Sequence, residues 1–384
     1  MSLESFFNPR SVAIVGASRE KGKVGYEILV SLIKGGYAGA IYPVNAKATE
    51  VEGLPCFPTL TAIGKPVELA IVVIPAKFVV GVMRECAALK IRSVVIITAG
   101  FKETGPAGKA LEQEIADIAR ENGIRVIGPN CLGVMCTDSK LNGSFGGDLP
   151  VEGGIAYLSQ SGALMAAILD MANAQKIGFS KLVSFGNKCD VNELDTITAF
   201  ADDPKTSVIA GYLENIIDGQ AFARIAGEIS RRKPILLMKS GGTTAGAKAA
   251  SSHTGSLAGG DTVYNCLFQR TGIVRCPSIK AQFDYAQAFA YQPLPAGQRV
   301  VVVTNAGGPG IMAADAIERE GLAFAKLTDA TMKTLAGKLP PAANITNPVD
   351  VLGDALADRY QFAIDTVLDD PGVDIVQHRD RKST

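Results

Sequence analysis

Excess charge of one sign is the first thing this chain lacks. Lys plus Arg and Asp plus Glu both total 38 among 384 residues, giving a formal net charge of zero. No basic footprint points to nucleic acid, so an anionic ligand must be held by local devices such as helix N-termini. Long apolar runs are missing too: none reaches the roughly 18 residues that a membrane span needs. The opening Met1–Val12 lacks the basic-then-apolar layout of a signal peptide. These absences describe a soluble, cytoplasmic protein with neither nucleic acid nor membrane as partner. The seven cysteines include no Cys-x-x-Cys pair, so they read as reduced, buried small side chains, and no metal site is expected. There are only two histidines, His253 and His378, and aromatics make up 6% against 41 glycines. What remains is aliphatic, a mixture that suits parallel strands joined by tight glycine turns.

The length exceeds one core and suits two or three domains. Ser11–Gly16, Ala40–Val44, Leu69–Ile74, Val94–Thr98 and Arg125–Gly128 read as buried strands, with helical stretches near 24–35, 77–89 and 106–122 between them. Right-handed crossovers then give a doubly wound parallel sheet, and the first domain is expected to span 1–145. A second, 146–295, follows the glycine-rich Asn142–Gly147, with strands at Ile155–Ser159, Lys181–Gly186, Val208–Leu213 and Pro234–Lys239. Ala290–Gly297 has the composition of a linker. The third, 296–384, offers Arg299–Thr304, a helix from about Pro309 to Glu320 and one further strand at Val373–Val376. With its polar tail Gln377–Thr384 this α/β unit looks incomplete, a truncation or a natural end.

Three loops at strand ends draw attention, because open α/β sheets bind ligands beyond the carboxyl ends of their strands. The first, Gly16–Gly25, is not Gly-x-Gly-x-x-Gly, and the second strand ends Pro43-Val-Asn45 with no acidic residue for a nicotinamide ribose. Arg19, Lys21, Lys23 and Lys47 supply positive charge suited to an extra phosphate. The turn is either a nucleotide site, of undecided kind, or a plain strand-to-helix turn with solvated lysines. The second loop, Ser159-Gln160-Ser161-Gly162, opens a helix at Ala163–Ala174 and is either an anion cradle or a simple serine cap. The third, Thr304–Gly310, repeats the arrangement with Gly307, Gly308 and Gly310, and its Pro309 suits a first helical turn.

Four segments carry a resemblance: Val12-Ala-Ile-Val-Gly-Ala-Ser18, Tyr42-Pro-Val-Asn45 with Lys47, Ile97-Thr-Ala-Gly-Phe101 and Gly128-Pro-Asn-Cys-Leu-Gly133. Together they resemble the CoA-binding domain of succinyl-CoA synthetase and ADP-forming acetyl-CoA synthetases, and the likeness runs over essentially residues 5–376. It implies a Rossmann-like CoA-binding domain followed by flavodoxin-like, succinyl-CoA synthetase-like domains. It also implies that Ser18, Lys23 and Lys47 face CoA phosphates while Val73, Pro75 and Ala99 line the path of CoA. Gly16, Ala17, Pro43, Asn45, Thr98, Gly100 and Asn130 complete that implied site. Ala46 stands where the family usually has proline, and Gly242 where it often has a basic residue.

His253 sits among small and polar neighbours in Ala249–Ala258, which leaves a loop histidine of either structural or chemical use. Ser252-His-Thr-Gly-Ser-Leu-Ala-Gly259 matches the phosphohistidine segment of the ADP-forming acetyl-CoA synthetases, and the resemblance makes His253 the phosphoryl carrier. Imidazole suits that task because its neutral form is a nucleophile and its N–P bond is readily transferred. Glu214, just past a strand end, is either a solvated carboxylate or, by resemblance, the group that holds the ring. The two glycine-rich helix starts would then cradle the phosphoryl group, and Phe185–Asp190 would orient the acyl group. The implied reaction interconverts acyl-CoA, phosphate and ADP with carboxylic acid, CoA and ATP. ATP or ADP with Mg is expected on an ATP-grasp subunit or missing domain, and the assembly is expected to be oligomeric. Two alternatives are a CoA-sensing region of a protein lysine acetyltransferase, disfavoured by retention of His253 with Glu214, and a nicotinamide dehydrogenase, disfavoured by the basic first loop.

Overall fold

A computed structural model describes residues 3–242 and 260–379. The chain divides into two compact units, Met1–Gln292 and Pro293–Thr384.

The first unit begins with a helical turn, α1 (Glu4–Phe7), followed by β1 (Ser11–Val15), α2 (Val24–Gly35) and β2 (Ala40–Val44). A small hairpin, β3 (Glu50–Val51) and β4 (Leu54–Pro55), leads to β5 (Leu69–Val72), α3 (Ala76–Ala88), β6 (Ser93–Ile96), α4 (Pro106–Asn122) and β7 (Arg125–Ile127). The parallel order is β2-β1-β5-β6-β7. Every residue of β1, β5 and β6 is buried, as expected where helices cover both faces. Alternation sorts their side chains: Val12, Ile14 and Ile71 pack with Ile28, Leu29 and Leu32 of α2, while Ala13, Val15 and Val72 pack with Val79, Met83 and Ile115 of α3 and α4. Each fully buried aliphatic side chain contributes about 1.5–3 kcal/mol. Left-handed glycines end α2 at Gly36 and α4 at Gly123.

A second sheet of the same unit contains β8 (Gly133–Cys136), β9 (Leu141–Ser144), β10 (Glu152–Ser159), α5 (Gly162–Gln175), β11 (Phe179–Ser184), α6 (Glu193–Asp202) and β12 (Val208–Leu213). It continues through α7 (Gly219–Ile229), β13 (Ile235–Lys239), α8 (Asp261–Thr271), β14 (Val274–Arg275) and α9 (Ile279–Tyr291). Its order is β14-β13-β12-β10-β11-β8-β9, with β8 antiparallel to β11 and the five strands from β14 to β11 parallel. Residues 133–144, placed from sequence in a first domain ending at 145, form the hairpin β8–β9 and pair with the second sheet, and the change of sheet falls between Ile127 and Gly133. Because β9 also packs along α2, Val134, Cys136 and Leu141 join the inner faces of both sheets into one continuous core. On the outer face Tyr157 stacks on Phe283 with ring centroids 5.7 Å apart, and Gln282 Nε2 donates to the carbonyls of Gly211 at 2.8 Å and Leu236 at 2.9 Å.

The second unit contains β15 (Arg299–Thr304), α10 (Gly307–Arg319), β16 (Ala323–Phe324), α11 (Asp329–Lys338), β17 (Val349–Asp350), α12 (Ala357–Leu368) and β18 (Ile375–Arg379). One side of β15 pairs with β18; the other is shared by β16 at its start and β17 at its end. Asn347 bridges that shared side, accepting from Val302 N at 3.0 Å and donating to Val300 O at 2.7 Å. Among the described residues this unit has four strands where the sequence offered two. The last strand also runs into the supposed polar tail, where the His378 ring meets the Tyr360 ring edge-on at 4.6 Å.

Candidate functional site

In both sheets of the first unit the first of the parallel strands, β1 or β10, is flanked by the next strand on one side and a later one on the other. Successive crossovers therefore leave in opposite directions and open a crevice beyond the carboxyl end of β1 and of β10.

The first crevice is built on Gly16. Its φ is +102°, and a Cβ there would lie 2.6 Å from the Val73 carbonyl oxygen. Gly16 N also donates to Val44 O at 2.9 Å, which draws the ends of β1, β2 and β5 together. Asn45 Nδ2 donates to Ala17 O at 2.7 Å, while its Oδ1 accepts from Lys47 N at 2.8 Å. Asn45 is thereby a brace for the turn. Ser18 Oγ accepts from Glu20 N at 3.0 Å. Lys23 caps α2 by its backbone, and its exposed ammonium stands 4.0 Å from Glu20. Val73 is half-buried, Pro75 and Ala99 are exposed, and Thr98 Oγ1 donates to Ile74 O at 2.7 Å. Two residues assigned to this site fit it less well. Pro43 is buried inside β2, and Asn130 turns towards the second sheet, donating from Nδ2 to Asn187 Oδ1 at 3.3 Å.

The second crevice centres on the loop after β10. Ser159 Oγ accepts from Ser161 N at 3.1 Å and donates to Ser161 O at 2.7 Å, and Ser161 Oγ caps α5 by accepting from Leu164 N at 3.2 Å. Both hydroxyls are engaged by the loop itself. Gln160 is engaged as well: its Oε1 accepts from Glu214 N at 2.9 Å and Asn215 N at 3.2 Å, and its Nε2 donates to Asn215 Oδ1 at 2.7 Å. An anion at this helix start is offered backbone N–H groups and the Ser161 O–H, whose oxygen accepts from Leu164 N, while Gln160 sets the Glu214 loop in place. Glu214 itself is buried at the carboxyl end of β12.

Sequence reasoning missed the further supports of that loop. Lys188, in a left-handed conformation with φ +58°, sends its ammonium inward. Its Nζ donates to Glu193 Oε2 at 2.9 Å and to Asn215 O at 3.0 Å, and Glu193 Oε1 accepts from Ile217 N at 2.7 Å. Burial pushes the Lys188 pKa below its ordinary value despite Glu193 beside it. One strand further along, Lys239 lies with its ammonium 4.2 Å from the Tyr264 ring centroid. Burial, with Arg275 nearby, lowers its pKa too, against the opposing pull of Asp261 and Glu214.

A polar cluster spans the two sheets. Asn187 Nδ2 donates to Glu103 Oε2 at 2.7 Å and Glu112 Oε2 at 2.8 Å, while Glu103 Oε1 accepts from Gly100 N at 2.6 Å. Lys102 pairs with Glu112 at 3.2 Å. Burial works against the Glu103 carboxylate, yet the donors from Asn187 and Gly100 outweigh it and hold its pKa below the ordinary value.

In the second unit Thr304 Oγ1 accepts from Ala306 N and donates to Ala306 O, both at 3.1 Å, reproducing what Ser159 does. Here Ala306 caps α10 without a side-chain acceptor. Gly307 and Gly308 are exposed, whereas Gly310 is buried against Thr304. His253 lies outside the described residues. Among those described, no group of three His, Cys, Asp or Glu side chains is placed to hold a metal ion, and no helix is long and apolar enough to cross a membrane.

Sheets and strand-end loops in this order are those matched by the family models of CoA-dependent acid–thiol ligases. Models for a CoA binding domain, a succinyl-CoA ligase like flavodoxin domain and a ligase-CoA domain match residues 10–137, 152–289 and 300–377. The chain is 44% identical over 376 residues to the ADP-forming acetate–CoA ligase I subunit alpha of Pyrococcus furiosus, covering 97% of itself and 81% of that subunit. It is 42% identical over 374 residues to the ADP-forming acetate–CoA ligase I of Archaeoglobus fulgidus, of which it covers 54%. A dinucleotide forming acetyl-coenzyme A synthetase 1 of Ca. Korarchaeum cryptofilum, solved in complex with phosphate and ADP, superposes with a TM-score of 0.94 at 37% identity, over 99% of this chain and 82% of that one. The chain belongs to the family of ADP-forming acyl-CoA ligases, and these relatives lend no support to the acetyltransferase-regulator or dehydrogenase readings.

Proposed function

We propose that this chain is the CoA-binding, phosphoryl-carrying component of an ADP-forming acyl-CoA ligase, with His253 as the carrier and Glu214 as its partner. The observation that carries the proposal is the placing of Glu214: a buried carboxylate whose own amide is held by Gln160, in the loop that opens α5. Such a start favours a phosphate or an acyl phosphate.

In one direction a phosphate oxygen attacks the thioester carbonyl of acyl-CoA, the C–S bond breaks, and the thiolate leaves and takes up a proton. An unprotonated ring nitrogen of His253 then attacks phosphorus, and the P–O bond to the acyl group breaks to release carboxylate. The phosphoryl group passes to the terminal oxygen of ADP, giving ATP and a neutral ring. Glu214 accepts the N–H of the other ring nitrogen, which fixes the tautomer and favours the charge developing on the ring. Gly307, Gly308 and Gly310 in the second unit supply another helix start of the same chemistry.

The turn at Gly16, with Ser18, Lys23 and Lys47, holds the phosphates of CoA, and Val73, Pro75 and Ala99 line its path. The exposed lysines around the turn fit such a group. ADP or ATP with Mg is held by an ATP-grasp subunit or domain, and the acyl group is that of a small carboxylic acid.

Intact-mass measurement after incubation with acetyl phosphate tests the reading. One acid-labile, alkali-stable phosphoryl group should appear on the native chain and none on His253→Ala. Glu214→Gln should slow its appearance by about 10²–10⁴-fold. Full labelling of His253→Ala would move the carrier elsewhere.

A further inference from the structure

We infer that Asn187 is a positioning residue that joins the loop at Gly100, in the first crevice, to the loop at Glu214 in the second, so that CoA in one crevice steadies the carboxylate in the other. The inference rests on the reading of the first crevice as the CoA site and of Glu214 as the partner of the carrier.

The link can be followed bond by bond. Gly100 N donates to Glu103 Oε1 at 2.6 Å, and Phe101 N reaches the same oxygen at 3.1 Å. The other oxygen, Glu103 Oε2, accepts from Asn187 Nδ2 at 2.7 Å. A single carboxylate thus holds the Gly100 turn with one atom and the second sheet with the other. Asn187 N donates to Pro129 O at 2.9 Å, and its Oδ1 accepts from Asn130. The next residue is Lys188, whose ammonium holds Asn215 O at 3.0 Å and, through Glu193, Ile217 N. Asn187, Lys188 and Glu193 are buried, while Gly100 and Glu103 at the first crevice are half-buried. Displacement at Gly100 is passed to Glu103 and so to Asn187, whose carbonyl also accepts from Lys102 Nζ, and movement of Asn187 carries Lys188 with it along the backbone.

Glu112 gives the arrangement its stiffness. It takes a second bond from Asn187 Nδ2 at 2.8 Å and pairs with Lys102. The amide of Asn187 lies between two carboxylates and donates to both, a task its neutral NH₂ group performs and a carboxylate in its place could not. In this reading Asn187 acts through the neighbours it holds, Glu103, Glu112 and Lys188.

Amide hydrogen exchange of the full chain, with CoA itself as probe, tests the link. In the native chain CoA should slow exchange of the 214–217 amides about fivefold or more, the low end of ordinary coupling between sites. In Asn187→Ala exchange without CoA should stay within about twofold of native and CoA should still bind, but the slowing should vanish. Glu103→Gln, which approaches the same contact from the other side, should give the same loss and guards against a folding defect peculiar to the first variant. Failure of CoA to slow these amides in the native chain, or equal slowing in both variants, overturns the inference. Phosphoryl labelling is scored separately: a native chain that shows the CoA-dependent slowing but never takes a phosphoryl group sinks the carrier reading and leaves the link standing.

Discussion

Lys188 and Glu193 form an ion pair at 2.9 Å with side chains only 2% and 1% exposed. Removing one member of such a pair strands the other charge in the interior, at about 3–5 kcal/mol. Lys188→Met should therefore lower the stability of the first unit by that amount in urea unfolding. The double variant Lys188→Met with Glu193→Leu should recover part of the loss yet remain about 0.5–1.5 kcal/mol below native, because the bonds to Ile217 N and Asn215 O are lost. A double variant as stable as native would show that the pair does not brace the Glu214 loop.

Gly25, at the start of α2, faces the Gly16 turn so closely that a Cβ would lie 2.0 Å from the Gly16 carbonyl oxygen. Backbone cannot swing aside as a flexible side chain can, so Gly25→Ala must push the helix off the turn. Overpacking of this kind costs roughly 1–3 kcal/mol, and CoA affinity should fall with it. Gly22→Ala, where a Cβ meets nothing within 4 Å but φ is +81°, carries backbone strain alone and should cost about 1 kcal/mol. Thermal melts and CoA titrations on the two variants separate close approach from backbone conformation.

The parallel strands were legible because β1, β5 and β6 are buried from end to end, and such runs stand out in any sequence bounded by glycine. The hairpin β8–β9 was not. Its glycines at 133 and 143 weaken any alternation, and its partner β11 lies far along the chain, so pairing rather than pattern defines it. The same holds for β16 and β17, two residues each, which exist by virtue of β15. Among the site residues, the loops at Gly16 and Ser159 were legible as helix starts after strands. The use made of Gln160 was not, since a glutamine reads alike whether it meets an anion or a neighbouring backbone. The cluster of Asn187 with Glu103 and Glu112 joins residues 84 and 75 positions apart, and no local signal announces such a meeting.

In the second unit Asp374 receives Arg299 N at 2.9 Å and Arg299 Nε and Nη2 at 2.8 Å each. These bonds hold its pKa at about 2, against an ordinary 3.8. A carboxylate with a depressed folded-state pKa contributes stability that is fully present above its unfolded value and is lost as pH falls through the folded one. The second unit should accordingly weaken between about pH 4 and pH 2, as read from urea midpoints. Arg299→Gln should flatten part of that slope while leaving the backbone donor in place, the rest belonging to Asp354 and Asp370, which are also held low. An unchanged slope would assign the acid sensitivity to other groups.

Lys23 and Lys47 bear on which phosphates of CoA the first crevice reads. Lys23 is two-thirds exposed and has only a 4.0 Å approach to Glu20, a contact worth little in water, so its ammonium is available to a ligand. Lys47 is exposed on the loop that Asn45 pins by its own amide. A hydrogen bond to a charged group is worth about 1.5–3 kcal/mol, or about one to two powers of ten in affinity. Lys23→Ala with Lys47→Ala should thus weaken CoA by about tenfold or more, while dephospho-CoA, which lacks the 3′-phosphate, should lose much less. The difference should shrink as salt is raised, since both ammonium groups are exposed to screening. The fold should not change, because neither side chain is buried. Equal weakening of both ligands at low salt would mean that the lysines meet the pyrophosphate instead, and that the 3′-phosphate is read elsewhere.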